Sequence, residues 1–162
     1  MTRQIAFISA ESESDYATAR ELFLEYASQL EVDLDFQNFE EEIKGLPTHY
    51  GPPHGAVLLL VDHDQTIGCF AIRKFADSIG ELKRMYLRKE WQGQGLGKLM
   101  LKKAIAIASQ LGYSRMRLDT LPTMHSAIRL YTSTGFYEIP PYRFNPIHGT
   151  KYFEIQLTTS ST

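Results

Sequence analysis

The sequence predicts a mixed α/β fold, and two features of its pattern carry this prediction. Apolar runs over Ala56–Val61 and Thr66–Phe75, separated by a polar turn, predict neighbouring strands of an antiparallel meander. From Glu81 onwards the pattern changes to strand, helix, strand, helix, strand, which is typical of a sheet that also contains parallel strands. A length of 162 residues fits a single domain over 1–162 with a sizeable core.

The segments that flank the meander have clear start and stop signals. Before it we predict a strand over Gln4–Ile8, a helix capped by Ser12 or Ser14 that runs to about Leu30, and a short helix within 38–44. The prolines and glycines of 46–55 should prevent regular structure there. The elements predicted after the meander are a strand ending at Leu87, a helix from Leu96, a strand over Arg115–Asp119, a helix over Thr123–Ser133, a strand after Gly135 and a last strand over Lys151–Leu157.

Composition restricts the classes of function. A net charge of −2 gives no reason to expect a nucleic-acid partner, and no apolar run is long enough to span a membrane. The start of the chain lacks the apolar stretch of a signal peptide, and a lone cysteine, Cys69, fits a reducing compartment, so we expect a cytoplasmic protein. Cys69 lies inside a strand pattern and is interpreted as a small core residue. The five histidines show no metal-ligand spacing, so no metal is expected.

The most informative stretch is Glu81–Lys98, a strand followed by a polar turn and a glycine-rich loop that opens into a helix. Glycines at 93, 95 and 97 let the backbone approach a ligand closely, and the start of the helix offers unpaired N–H groups that suit a phosphate. Gln92 and Leu99 stand where a P-loop needs glycine and Ser or Thr, which excludes that motif. Lys98 stands where a dinucleotide-binding fingerprint needs its third glycine, which excludes that motif as well.

The remaining motif, Gln92-Gly93-Gln94-Gly95-Leu96-Gly97, resembles the pyrophosphate-binding signature of the GNAT superfamily of N-acetyltransferases, Arg/Gln-x-x-Gly-x-Gly/Ala. The segments Glu81–Leu87 and Ala127–Phe136 also resemble segments of this family, in the family's order, so the similarity covers roughly 56 to 138 closely. The resemblance implies a central, mostly antiparallel twisted sheet with helices on both faces. It also implies transfer of an acetyl group from acetyl-CoA to a primary amine by direct attack in a ternary complex. It leaves a homodimer open.

The resemblance implies a cofactor site in which the strand before the loop holds the pantetheine arm and the loop amides hold the pyrophosphate. Its positions are Met85, Tyr86, Leu87, Gln92, Gly93, Gln94, Gly95, Leu96, Gly97, Lys98 and Met124. Either Lys98 or Lys102 could reach a phosphate, or both could be solvated. Relatives often carry Asn where Met124 stands, so this position departs from the family pattern and would lose a polar contact to the arm.

Three residues match catalytic positions of the family. Tyr131 occupies the place of a tyrosine that protonates the departing thiolate; the alternative is a core tyrosine. Glu81 occupies a general-base position, and a carboxylate on an interior strand is expected to have a raised pKa. The alternative for Glu81 is an ion pair with Lys83, its same-face neighbour. Asp119 is the second candidate for the base.

The acceptor is expected to be a small-molecule amine. The family's acceptor groove would include Tyr26, Phe36, Tyr50, Arg73, Tyr142 and Asn145. Acidic Asp33, Asp35 and Glu40 would suit a cationic amine, although ordinary solvated charge is the favoured interpretation of these three. A peptide N-terminus remains the other substrate class. A CoA-binding module without transfer activity remains the rival function, and a non-enzymatic interaction domain is a third, disfavoured because the entry from loop to helix is intact.

Overall fold

The computed structural model describes residues 3–30 and 38–158. The strands are β1 (Ile5–Ser9), β2 (Ala56–Asp62), β3 (Gln65–Ala76), β4 (Ile79–Leu87), β5 (Arg115–Thr120), β6 (Tyr137–Ile139) and β7 (Lys151–Gln156). The helices are α1 (Glu13–Gln29), α2 (Phe39–Lys44), α3 (Leu46–Tyr50), α4 (Leu96–Gln110) and α5 (His125–Thr134).

The described strands form one seven-stranded sheet in the order β1-β2-β3-β4-β5-β7-β6. β4 and β5 pair in parallel, joined by the crossover helix α4, and the other neighbours pair antiparallel. A parallel pair needs such a crossover because a tight turn can join only antiparallel strands. The predicted mixed, mostly antiparallel sheet is therefore confirmed.

Helices cover both faces of the sheet, as the fold prediction requires. Alternate residues of β2 point to opposite sides: Leu58 and Leu60 pack in one apolar cluster with α4 and α5, and Val57 and Leu59 pack in a second with α1 and α3. Cys69 belongs to the second cluster and is fully buried, which confirms its interpretation as a core residue.

Local signals explain several helix ends, with one correction to the predicted elements. Ser12 caps α1, because its hydroxyl accepts a hydrogen bond from the Asp15 amide while the Asp15 carboxylate accepts from the Ser12 amide. The prediction that 46–55 forms no regular structure is wrong for its first half, where α3 spans Leu46–Tyr50. Gly45 ends α2, and Pro47 falls in the first turn of α3, where a helix tolerates proline.

The sheet opens at its centre, between the two parallel strands. Pairing of β4 with β5 covers Ile79–Glu81 and Arg115–Arg117, and within the described residues the strands continue beyond this point without pairing to each other. A shift in the pairing of β3 with β4 lies at the same level, where Arg84 has a left-handed backbone with φ of 58°. The second half of β4 therefore presents backbone groups to an open seam.

Candidate active site

A cleft of about 650 Å³ occupies the seam between β4 and β5. Its walls come from the end of α1, the second half of β4, the loop before α4, the end of β5 and the start of α5. Sequence positions more than a hundred residues apart meet here, since Tyr26 and Thr150 both line it.

The glycine-rich loop at one end of the cleft can hold an anion. Gly93 and Gly95 have φ of 77° and 87°, in the left-handed region that favours glycine, and a Cβ at either position would meet no described atom within 4 Å. Gly95 is the N-cap residue of α4, and no side chain of the described residues caps that helix. The first amides of α4 are therefore free to donate to a ligand at the positive end of the helix.

The side chains of Gln92, Gln94 and Leu96 hold the loop in place through hydrogen bonds and packing. Gln92 Nε2 donates to the Leu87 carbonyl at 2.8 Å, and Gln94 Nε2 donates to the Glu90 carbonyl at 3.2 Å. The Leu96 side chain is buried in the α4 core cluster. These three positions can serve a phosphate only through their backbone amides, and only Gln92 among them lines the cleft.

Two lysines of α4 differ in their position. Lys98 lines the cleft, whereas Lys102, one turn later and exposed, does not. Of the two phosphate-binding candidates that the sequence left open, Lys98 is the one in position.

The predicted pantetheine positions line the cleft as a group: Met85, Tyr86 and Leu87 on β4, and Met124 as the N-cap residue of α5. The Tyr86 hydroxyl points away to α1, where it donates to Glu25 at 2.6 Å. Tyr86 therefore offers its backbone, not its hydroxyl, to a ligand in the seam.

Tyr131 packs in the core and also lines the cleft, so it fits both interpretations that the sequence left open. Its ring packs against Phe136 and Phe153, at centroid distances of 5.7 and 6.3 Å, and it also lines the cleft. Burial raises the pKa of Tyr131, and the nearby Tyr26 and Asp119 add to the effect. The phenol therefore stays protonated at neutral pH and can donate, but it cannot act as a base.

Glu81 differs from its prediction. Its side chain is 0% exposed and binds Arg73 Nε at 2.9 Å, the Tyr142 hydroxyl at 2.8 Å and an amino group of Arg143. Burial by itself raises the pKa of Glu81, yet the charges of Lys83, Arg143 and Arg73 outweigh it and lower the pKa to about 2. The predicted raised pKa is wrong because Lys83 on the same strand, together with arginines from β3 and from the loop after β6, surrounds the carboxylate with positive charge.

Asp119, the second candidate, lies where a base would be useful. It lines the cleft at the end of β5, whereas Glu81 is not among the described lining residues. Its Oδ2 is buried, accepts no hydrogen bond from the described residues, and lies 4.0 Å from Arg143 Nη1. A buried carboxylate oxygen with an unused acceptor position is suited to a substrate N–H group.

The predicted acceptor positions separate into different places. Tyr26 and Asn145 line the cleft, Arg73 lines a second, smaller cavity, and Tyr142 is bound to Glu81. Tyr50 is fully buried in the cluster of α1 and α3 and lines neither cavity. The prediction that Tyr50 belongs to the acceptor groove is therefore wrong. Phe36, like Asp33 and Asp35, lies outside the described residues.

Sequence reasoning missed a buried ion pair beside the site. Arg84 Nε and Nη2 each donate to a Glu42 oxygen at 2.7 Å, and the side chains are only 4% and 5% exposed. Lys83 is buried as well, and burial lowers its pKa to about 8 against the opposing charges of Glu81 and Asp119. Three charged residues close together on one predicted strand, Glu81, Lys83 and Arg84, are the signal that could have indicated this polar cluster.

The described part of the chain contains neither a metal-binding cluster nor a membrane-spanning helix. Over 3–30 and 38–158, no group of three or more His, Cys, Asp or Glu side chains is placed to hold a metal ion. No helix in the same ranges is long and apolar enough to cross a membrane.

Known proteins are similar to this chain in sequence, and others are similar to it in fold. The model of the acetyltransferase (GNAT) family matches residues 16–136. An uncharacterised N-acetyltransferase of Schizosaccharomyces pombe is 41% identical over 139 residues, which is 85% of each chain. Another from Dictyostelium discoideum is 27% identical over 77% of this chain and 86% of its own length.

Solved structures agree with these sequence matches. A GNAT-family acetyltransferase from Staphylococcus aureus superposes with a TM-score of 0.77 at 20% identity, covering 96% of this chain and all of its own. A putative acetyltransferase from Salmonella typhimurium, solved with its cofactor acetyl-CoA, has a TM-score of 0.67 at 19% identity, covering 98% of this chain and 96% of its own. With the family match over most of its length, this chain belongs to the GNAT family of acetyltransferases.

Proposed function

We propose that this protein transfers the acetyl group of acetyl-CoA to the primary amine of a small molecule. The observation that carries the proposal is the open seam between β4 and β5, which continues into an uncapped helix start behind two left-handed glycines. A long ligand with an amide-rich arm and a pyrophosphate needs this combination of unpaired strand backbone and free helix amides. The Salmonella protein of the same fold, solved with acetyl-CoA, supports this choice of ligand.

The residues of the cleft fit the cofactor and divide its parts among them. The amides from Gly93 to Lys98 would hold the pyrophosphate, and the backbone of Met85, Tyr86 and Leu87 would hold the arm. When bound, acetyl-CoA supplies an acetyl group that is already activated as a thioester. Transfer therefore requires of the chain only a neutral amine in position and a proton donor near the sulfur.

Asp119 and Tyr131 supply these two requirements. Asp119 Oδ2, buried and without a donor from the described residues, accepts a proton from the incoming amine. Tyr131 Oη, held protonated by burial, donates a hydrogen bond towards the sulfur. Glu81 was favoured as the base from sequence, but its two oxygens already accept from Arg73, Arg143 and Tyr142, so we assign it to positioning.

A small molecule fits better than a peptide because the acceptor side is covered. The loop between β6 and β7 folds back onto the sheet, where Tyr142 stacks edge-on against Phe75 at 4.8 Å and binds Glu81. The Tyr152 hydroxyl donates to the Arg143 carbonyl and fixes the loop at a second point. The space left beside β4 is about 190 Å³.

The test is CoA release from acetyl-CoA with a panel of primary amines, including amino acids and short peptides, with mass spectrometry of the products. We expect an N-acetylated small molecule and release well above the rate of hydrolysis. If peptides alone are acetylated, the substrate class is wrong. If CoA binds but no amine reacts, the protein is a CoA-binding module.

A further inference from the structure

A second cavity, of about 190 Å³, adjoins the cleft across β4. Lys83 and Arg84 line both spaces, so this part of β4 is a wall that the two cavities share. The described residues that line the smaller cavity are Asn38, Glu42, Arg73, Lys83, Arg84, Arg143 and Phe144. Four of these seven side chains are basic, which is an unusual concentration in a chain whose net charge is −2.

The two arginines from outside β4 keep part of their hydrogen-bonding capacity unused by the described residues. Arg73 and Arg143 both bind the fully buried Glu81, the first through Nε and the second through Nη2. A guanidinium group has five N–H donors, and among the described residues Arg73 donates through Nε alone. Their side chains are 32% and 20% exposed, so the remaining N–H groups can reach a ligand in the cavity.

Glu42 and Glu81, two described carboxylates beside the cavity, do not offer the same opportunity to a cation. Glu42 uses both oxygens on Arg84, and Glu81 is enclosed behind the arginines with 0% exposure. Glu40, one of three acids that suggested a cationic acceptor, is exposed on α2. The donors that face the cavity therefore suit an anion with two oxygens, as in a carboxylate.

We propose that this cavity binds a carboxylate of the acceptor, so that the substrate is a short amino acid whose amine is acetylated in the cleft. The proposal rests on the proposed function and narrows its substrate class. Arg143 joins the two places, because it lines the cavity while its Nη1 lies 4.0 Å from Asp119 Oδ2 in the cleft. An amine at Asp119 and a carboxylate on Arg143 can thus belong to one small molecule. Glu42 in the cavity wall disfavours a doubly charged phosphate.

The experiment compares matched amines in steady-state kinetics. Each amino acid with one to three carbons between amine and carboxylate is paired with its primary amide and with a diamine of equal length. We expect the acid to exceed its amide in kcat/KM by tenfold or more, because the amide leaves the guanidinium donors without a charged partner.

Variants assign the preference to the cavity. Arg73→Gln should lower the ratio of acid to amide about tenfold, and Arg143→Lys, which keeps the charge but loses the planar fork, should lower it less than Arg143→Gln. Arg115→Gln is the matched control, since this exposed arginine at the start of β5 lines neither cavity and should leave the ratio unchanged. The ratio is insensitive to loss of folded protein, which affects both substrates equally.

The outcomes separate the two proposals. If amides, diamines or peptides are acetylated with the same kcat/KM as the amino acids, the carboxylate site is refuted and the acetyl transfer stands. If no amine releases CoA, the proposed function fails. Calorimetric titration of the CoA-loaded protein with the same amino acids then tests whether the cavity binds a carboxylate. Binding that Arg73→Gln weakens supports the site, and no heat with any of them overturns it.

Discussion

Glu42 of α2 holds Arg84 of β4 through two parallel hydrogen bonds of 2.7 Å in a buried position. Arg84 is the residue with the left-handed backbone at the shift in β4, and its guanidinium also stacks on the Phe39 ring at 5.2 Å. The pair thus fixes a short helix against the point where β4 turns away from β5. A positive φ is unfavourable for a side chain as large as arginine, and the ion pair offsets that cost.

Removing the carboxylate should therefore leave a buried cation without its partner. We expect Glu42→Ala to lower the free energy of unfolding by about 3–5 kcal/mol, measured by urea denaturation at neutral pH. Glu40→Ala, at an exposed position of the same helix, should change it by less than about 0.5 kcal/mol. Equal effects of the two substitutions would contradict a structural role for the pair.

The glycine loop gives a prediction with a control of the same backbone geometry. Gly95→Leu should weaken CoA binding at least about tenfold, because a side chain at this point stands between the helix amides and a pyrophosphate. Gly112 also has a positive φ, 96° against 87°, and open space at its Cβ, but it lies outside the cleft. Gly112→Leu should carry similar backbone strain with unchanged affinity in titration calorimetry. Loss of affinity in both variants would point to strain instead.

Tyr131→Phe removes only the hydroxyl of a ring that packs in the core. We expect turnover at saturating substrates to fall by roughly 10²-fold, the scale of a lost proton donor, while CoA affinity stays the same. Tyr113→Phe is the control, because that buried hydroxyl donates to the His54 carbonyl away from the cleft. A normal rate for Tyr131→Phe would return this residue to a packing role alone.

The two carboxylates are separated by their effects on the pH–rate profile. Asp119→Asn should cut kcat by roughly 10²-fold and flatten the acidic limb, because the group that takes the amine proton is gone. Glu81→Gln should keep the acidic limb and raise KM for the acceptor, because it releases Arg73 and Arg143. If the two phenotypes are exchanged, Glu81 is the base. If neither substitution changes the acidic limb, the amine loses its proton to solvent.

Glu81 should also contribute to the stability of the fold in acid. Its pKa is lowered from 4.5 to about 2, so its contribution is complete above pH 4.5 and is lost as the pH falls towards 2. A shift of this size corresponds to about 3 kcal/mol between the two limits. Unfolding free energies between pH 5 and 2 should fall less steeply in Glu81→Gln than in the natural protein. The exposed Glu21→Gln should follow the natural protein.

The sequence by itself determined the parts of this protein that depend on neighbours along the chain. The alternation of Leu58 and Leu60 with Val57 and Leu59 fixes which residues face each layer of helices, because side chains of a strand alternate between faces. The glycine loop and the cap of α1 at Ser12 follow from short-range patterns in the same way. The resemblance to the family, not a local pattern, indicated Tyr131 and Asp119 as site residues.

The tertiary structure alone decided the state of the charged residues. Glu81 is bound by Arg73 from 8 residues away and by Arg143 from 62 residues away, and Glu42 meets Arg84 across 42 residues. A local pattern shows that Glu81 lies on an interior strand with Lys83 as its same-face neighbour. The pKa of Glu81 is lowered despite burial because the fold adds Arg143 of the loop and Arg73 of β3 to the charge of Lys83. Electrostatic energy depends on distances in space, so the folded chain determines which carboxylate is engaged and which is left to face the cleft.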